Sequence, residues 1–438
     1  MLIFTFLISI AFAFVRINAF LHQKHPSGRH LNYMVAFALS ISLFSYLYYL
    51  SLIFSISYEH VLIGIIIAAT LSGLLNKKDR DIRQFSFTRI QGAGNLFILV
   101  IGILFLTIRF LIYVRRWGDW DAFAIWTMHA KFLYYPEFWT NMFTSNLSGT
   151  HPDYPLMLPS LIAFTWPGIG LITPLVPIVI ANFVFIAIPA TIFLALNRYN
   201  YKFAALISLI VFALDAKFIQ IAGSQYADTL LSFFILMTFV LHKEIEEAGG
   251  IAIVLITGFI AGSAMWVKNE GLLFFVIFLA LFVCFNYRNP RVILGFLAGG
   301  ILPLLALVFF KIKLAPGNDL VNSDRAGVPD LILDVDRYML IIKHMSSTST
   351  RYYWVVLLAF VVLVIRKQPF SRTLPFLVVS LLFAGYFAIY LITPNDLDWH
   401  LGASIDRLMH HVYPACIYLF LLRFSKVSGP GYYNLPTT

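Results

Sequence analysis

The chain has 438 residues, of which 60% are hydrophobic and only 12% charged, with a mean hydropathy of +0.84. A soluble domain carries about a quarter charged residues, so this composition excludes one, and long apolar runs without two-residue alternation exclude an outer-membrane barrel. The net charge of +10 is no nucleic-acid signature, because the basic residues sit in loops between apolar stretches, where positive-inside topology places them. The expectation is an all-α, polytopic integral membrane protein.

In chain order, runs long enough for a hydrocarbon layer of roughly 30 Å fall near residues 1–20, 34–56, 60–76, 95–114, 171–196, 203–221, 227–242, 250–266, 271–286, 292–311, 353–366, 373–393 and 409–423. They predict about thirteen transmembrane helices. Residues 1–21 resemble a secretory signal but lack a basic leading region and a small-residue cleavage site, which favours a retained first span. The run 156–166 is too short to cross and is expected at the interface or as a re-entrant segment. Cys284 and Cys416 fall in predicted spans, where packing is their expected role.

The short basic connection containing Lys77, Lys78, Arg80, Arg83 and Arg89 should be cytoplasmic. Alternation then puts Lys24, Arg29, Arg198, Lys202, Arg288, Arg291, the 366–372 cluster, Arg423 and Lys426 on the same side, with the N-terminus outward. Asp79, Asp81, Glu244, Glu246 and Glu247 also fall inside. The other carboxylates, including Asp119, Asp121, Asp153, Asp228, Glu270, Asp396 and Asp398, fall on or near the outer face. Positive-inside topology does not sort acidic residues, so their one-sided placement suggests an outer functional site.

Two outer segments are long. In 115–155, the stretch Trp-Asp-Ala-Phe-Ala-Ile-Trp-Thr-Met-His-Ala-Lys has apolar residues at helical spacing, predicting an amphipathic helix in the interface plane. The segment 312–351 is polar and reads as a small extramembrane loop that would lie over the first. Asn146-Leu-Ser148 fits a glycosylation acceptor, a weak three-residue match.

Candidate chemistry gathers in these outer pieces. Asp119 and Asp121 open the interfacial helix, where a carboxylate is favoured as a cap. Asp121, one step further in and flanked by aromatics, suits a general base for a hydroxyl or amine. Asp153 lies in the rigid turn His151-Pro-Asp-Tyr-Pro155, either as a cap or as a site residue. Asp228 in Gln225-Tyr-Ala-Asp228 reads as a cap or a site residue in the same way. Lys268, in Lys268-Asn-Glu-Gly271, suits either an anionic phosphate or pairing with Glu270. Near the last span, Arg407 offers a forked donor to a phosphate or snorkels to headgroups, while His410 and His411 are expected to be structural. The outer carboxylates are donors of the kind that a divalent cation takes, but their spacing specifies none.

The order of these motifs resembles the GT-C glycosyltransferases, in the bacterial branch of protein mannosyltransferases and aminoarabinose transferases. It comprises the acidic loop, HPDYPLMLP, Tyr-Ala-Asp, Lys-Asn-Glu-Gly and a late Trp-His followed by Arg. The resemblance covers most of residues 95–423 and implies a catalytic module there, with outer loops 115–155, 312–351 and 394–408. Residues 1–94 would be N-terminal helices and 424–438 a cytoplasmic tail. It further implies inverting transfer of a sugar from a polyprenyl-phosphate donor to an extracytoplasmic acceptor, a glycolipid, polysaccharide or protein, at a bacterial inner membrane. Asp121 matches the family's base best, with Asp119 second; Lys268, Arg407 and Lys131 would hold the phosphate, with Asp153, Tyr226, Asp228, Glu270 and His400 lining the substrate site. Two departures stand out: His129 occupies a position where relatives tend to carry lysine, and three spans precede residue 77. The competing readings are a transporter or flippase for lipid-linked sugars and a polymerase or ligase of surface polysaccharide.

Overall fold

The structure, a computed structural model, describes residues 2–24, 31–75, 93–317, 328–348 and 373–428. Helix is the regular structure throughout these residues, with no strand among them. Hydrocarbon offers backbone groups no partners, so a spanning segment must satisfy its own N–H and C=O groups, and a helix does so. The helices are α1 (Leu2–Lys24), α2 (Leu31–Ile53), α3 (Tyr58–Leu75), α4 (Ala93–Tyr113), α5 (Met128–Tyr134) and α6 (Met157–Ile169). They continue with α7 (Leu175–Arg198), α8 (Lys202–Leu214), α9 (Ala216–Gly223), α10 (Ala227–Ala248), α11 (Ile251–Val267), α12 (Asn269–Asn286) and α13 (Pro290–Lys313). The described chain closes with α14 (Val328–Leu333), α15 (Val335–Thr348), α16 (Leu374–Ile392) and α17 (Leu397–Ser428).

Among the described residues, 7 helices are long and apolar enough to cross a membrane, or 8 if α8 and α9 make one broken span. The chain is a multi-pass membrane protein. The number is smaller than the sequence runs suggest, for physical reasons. The expected spans near 60–76 and 250–266 hold α3 and α11, whose apolar stretches Tyr58–Ser72 and Ile251–Val267 are shorter than a span needs. Those at 227–242 and 409–423 belong to α10 and α17, which carry Asp228, Lys243 and Glu244, and Asp406, Arg407, His410 and His411. The expected span 353–366, the basic connection 77–89 and the end of the tail lie outside the described residues.

Four further expectations are refined. The run 203–221 is broken: Asp215 stops α8, and its carboxylate accepts from the Phe218 N–H at 3.0 Å to start α9, bent 66° from α8. The short run after 155 forms α6, whose Met157–Phe164 stretch is wholly buried, so it lies inside the bundle rather than along its surface. The segment expected at the interface is π-wound over Ala122–Thr127 before becoming α5. It buries Ile125, Trp126, His129 and Leu133 and exposes Phe123 and Lys131. The polar segment after α13 contains α14 and α15; Arg337 of α15 donates to the carbonyls of Tyr390, Leu391 and Thr393 at 2.9–3.3 Å, satisfying the orphan acceptors that end α16. Residues 318–327 and 349–351 of that segment lie outside the described residues.

The α11–α13 pair is packed through glycine. Gly258 and Gly262 of α11, and Gly295 and Gly299 of α13, repeat at the four-residue spacing that lets helices meet backbone to backbone. A Cβ on Gly258 would collide with the Phe296 carbonyl, and one on Gly299 with the Leu255 carbonyl. This seam fixes α11, and hence the α11–α12 turn that carries Lys268. Overpacking a close contact typically costs about 1–3 kcal/mol. Gly299→Leu is therefore expected to lower the thermal unfolding midpoint of purified protein by several degrees. Gly64→Leu, at a position with nothing within 4 Å, should leave it nearly unchanged.

Candidate active site

The polar groups converge where α10 and α12 begin, α11 ends and α17 is about three turns old. Asp228 stands in the first turn of α10, where orphan N–H groups and the helix dipole favour a carboxylate. The residue heading that helix is Tyr226, which makes no side-chain cap bond. Asp228 does not cap; it is fully buried and faces across the bundle. Its Oδ1 accepts from Lys268 Nζ at 3.0 Å and lies 2.7 Å from His411 Nε2; its Oδ2 accepts from Arg407 Nε at 3.2 Å and Nη2 at 3.0 Å. An ionised carboxylate only accepts, so the proton of His411 is on Nε2.

Arg407 links this buried group to the acidic loop. Its Nη2 is also 2.7 Å from Asp121 Oδ2, and its guanidinium lies 4.5 Å from the centre of the Tyr226 ring. Asp121 heads the π-wound segment without a side-chain cap bond, which leaves its carboxylate directed at Arg407. Lys268, 3.0 Å from Glu270 Oε1, closes the other flank; the second Glu270 oxygen is buried with no hydrogen-bond partner. The centre thus sets the carboxylates Asp121, Asp228 and Glu270 against the basic groups of Lys268 and Arg407, with the His411 imidazole beside them. Inside a bundle such charges persist only when paired.

Asp119 behaves differently from Asp121. It pairs closely with Arg115, accepts from Ser224 Oγ at 2.6 Å, and donates its N–H to the Ser224 carbonyl at 3.3 Å. Gln225 Nε2 adds a bond to the Arg115 carbonyl. Gly118 makes this possible: its φ of +70° suits glycine, and a Cβ would strike Ala122 and the Ser224 carbonyl. Asp119 ties the acidic loop to the α9–α10 turn.

Asp153 is buried too, and its role as a cap is not realised, since Leu156 heads α6. Its Oδ2 accepts from Asn269 Nδ2 at 2.9 Å, while Lys311 Nζ donates to its carbonyl at 2.6 Å and to Asn269 Oδ1 at 2.9 Å. The His151-Pro-Asp-Tyr-Pro turn is thereby pinned to the start of α12. Tyr154 sits in that turn with its ring stacked between Trp126 and His151 and facing Lys268, whose ammonium is 5.8 Å away. Burial, with the Glu270 carboxylate next, pushes its phenol well above the usual range, and burial, with Asp121 next, pushes the Tyr226 phenol up to about 12.

The remaining expected residues fall outside this centre. Lys131 is exposed, 5.6 Å from the Trp117 ring, and makes no contact with the Asp228 cluster. His400, two turns before Arg407 on the same face of α17, shares a 2.9 Å bond with Thr393 and packs on Tyr390. His410, expected to be structural, lies 3.0 Å from Thr229 and stacks on Phe218. His411, given the same expectation, lies against Asp228. Asp396 caps α17 through the Trp399 N–H, and Asp398 pairs with His344. His129 is buried, and burial lowers its imidazole to about 4, so it supplies no charge at neutral pH.

Sequence reasoning missed Lys311, Asn269, Tyr154 and His411. Asn269 and Tyr154 stood inside quoted motifs, while His411 and Lys311 gave no signal beyond being polar at a span end. Among the described residues, no trio of His, Cys, Asp and Glu is grouped to hold a metal ion. A cavity of about 570 Å³ lies at the far ends of α10–α13, lined by His242, Glu246, Asn289 and Arg291, well away from these groups. No protein-family model, curated protein or solved structure matches the chain.

Removing one member of a buried ion pair costs about 3–5 kcal/mol, because the partner charge stays buried. Asp228→Asn should therefore depress the unfolding midpoint sharply, whereas Asp119→Asn, in a pair open to solvent, should cost less than about 1 kcal/mol. A pH series tests His129 separately. Its imidazole is held near 4 against 6.5 when unfolded, so the unfolded chain takes up the proton first. Stability should fall as pH drops from 6.5 towards 4, and His129→Leu should flatten that part of the curve in thermal melts.

Proposed function

We propose that the protein is an inverting glycosyltransferase that moves a sugar from a polyprenyl-phosphate donor to an acceptor on the extracytoplasmic side of a bacterial plasma membrane. The observation that carries this reading is the 2.7 Å contact between Asp121 and Arg407, beside the buried Asp228–Lys268 pair. It puts a carboxylate that caps no helix next to cations suited to a phosphate, at one end of a membrane bundle. The order of the motifs along the chain supports the same class.

In this mechanism Asp121 takes the proton of the acceptor hydroxyl as the oxygen attacks the anomeric carbon. The bond from that carbon to the phosphate oxygen breaks, and its electron pair stays on the phosphate. Polyprenyl phosphate is a good leaving group, so it needs charge stabilisation from Arg407 and Lys268 rather than a strong acid. Trp120 and Phe123, exposed at 66% and 46% beside Asp121, are the side chains that interfacial segments present to lipid headgroups. They support an active site at the membrane surface, within reach of a lipid-borne donor. The donor sugar and the acceptor (glycolipid, polysaccharide or protein) are left open by this chemistry.

A second reading, a transporter of lipid-linked sugars, draws support from the broken α8–α9 segment, since discontinuous helices are common at transport sites. Reconstituted protein supplied with labelled polyprenyl-phosphate sugar and membrane extract separates the two. Transfer should yield labelled acceptor, and Asp121→Asn should reduce it by about 10²-fold or more with expression intact. Movement of intact donor across the bilayer without a new linkage, or full transfer by the variant, would refute the assignment.

A further inference from the structure

The two carboxylates on Arg407 are not equivalent, and the difference has a mechanistic consequence that rests on the function proposed above. A guanidinium presents two forked edges, a side edge formed by Nε and one Nη, and an end edge formed by both Nη nitrogens. Asp228 occupies the side edge, with Nε at 3.2 Å and Nη2 at 3.0 Å from the same oxygen. Asp228 is fully buried and is also held by Lys268 and His411, so this grip is permanent. Asp121 reaches only Nη2, at 2.7 Å as an ion pair, and is partly exposed. Nη1 makes no hydrogen bond or ion pair among the described residues.

A phosphate bound in the two-pronged manner that arginine favours needs both Nη nitrogens. With the side edge closed by Asp228, the end edge is the one open to it, and Asp121 is paired with Nη2, one of the two nitrogens of that edge. We infer that Asp121 and the donor phosphate compete for the end edge of Arg407, so that donor binding is what frees Asp121 to act as base. Asp228 is then a positioning residue: it turns the guanidinium so that its end edge faces the acidic loop. Lys268 does not offer the same exchange, because its ammonium is held between Asp228 and Glu270 at 3.0 Å from each.

The exchange also orders the cycle. An unoccupied site keeps Asp121 paired, so the base is engaged by Arg407 rather than by an acceptor before the donor arrives. After transfer Asp121 holds the acceptor's proton and is neutral, and a neutral carboxyl is a poor competitor for Arg407. The product phosphate therefore stays seated until that proton is lost.

The test is calorimetric titration of the full-length protein in nanodiscs with farnesyl phosphate, which carries no sugar to transfer, with farnesol as the uncharged control. Asp121→Asn mimics the protonated base and should bind farnesyl phosphate about tenfold more tightly than wild type, since a charge-assisted competitor is gone. Asp121→Ser should behave alike, and melting curves identify either variant if it is misfolded. Asp119→Asn removes the same charge from the same loop without touching Arg407 and should not tighten binding. Equal tightening by Asp119→Asn and Asp121→Asn would reveal a general field effect and overturn the competition. So would unchanged or weaker binding in the folded Asp121 variants, and in both cases the transferase reading would survive. Failure of wild type and variants alike to distinguish farnesyl phosphate from farnesol would overturn the competition and the polyprenyl-phosphate reading together.

Discussion

A fully buried carboxylate inside a helical bundle is the constraint on which the rest of this structure depends. Asp228 has no water to solvate it, and an isolated ion in such surroundings would cost many kcal/mol. Its stability requires cations delivered from elsewhere in the chain, and they arrive from the α11–α12 turn as Lys268 and from α17 as Arg407 and His411. These contacts join parts of the sequence as much as 183 residues apart. The cluster therefore acts as a keystone, and the helices that meet there cannot slide without breaking it.

Around this centre, two outer tethers hold the loops that carry the exposed chemistry. Arg115, Asp119 and Ser224 bind the acidic loop to the α9–α10 turn, while Asp153, Asn269 and Lys311 bind the proline-rich turn to α12 and α13. Each tether neutralises its own charge locally. Asp121 is thereby left as the acidic-loop carboxylate that reaches the central cations. At the opposite end of α10, the buried Glu244 pairs with Arg198 and accepts from the Tyr199 hydroxyl, so that helix is held at both ends by charge. Beside α10 the glycine seam of α11 and α13 supplies close backbone packing.

Much of this was legible in the linear chain. The all-helical membrane class followed from hydropathy alone, and every residue of the central cluster except His411 stood in a motif that could be picked out by its charge. The number of spans was less legible. Composition reads α10 and α17 as apolar runs, but their charged residues are those that the site uses, and the break at Asp215 depends on a local side-chain cap inside an apolar run. The roles of the carboxylates were less legible still. Asp119, Asp121, Asp153 and Asp228 all suit a helix start by position, and none was distinguishable as cap, tether or keystone from its neighbours.

The sequence by itself determined that this chain lives in a membrane, that its backbone is helical, and that its scarce acidic residues cluster in particular loops. These properties follow from the transfer energetics of each residue and need no partner to be specified. Only the tertiary structure decided which charges meet. It paired Arg407 with Asp121 and Asp228 across α17, the acidic loop and α10, and it left Lys131 over Trp117 instead. The reason is that a buried ion is stabilised by distance and geometry to its counter-charge, and those are properties of the packed bundle that no stretch of chain carries alone.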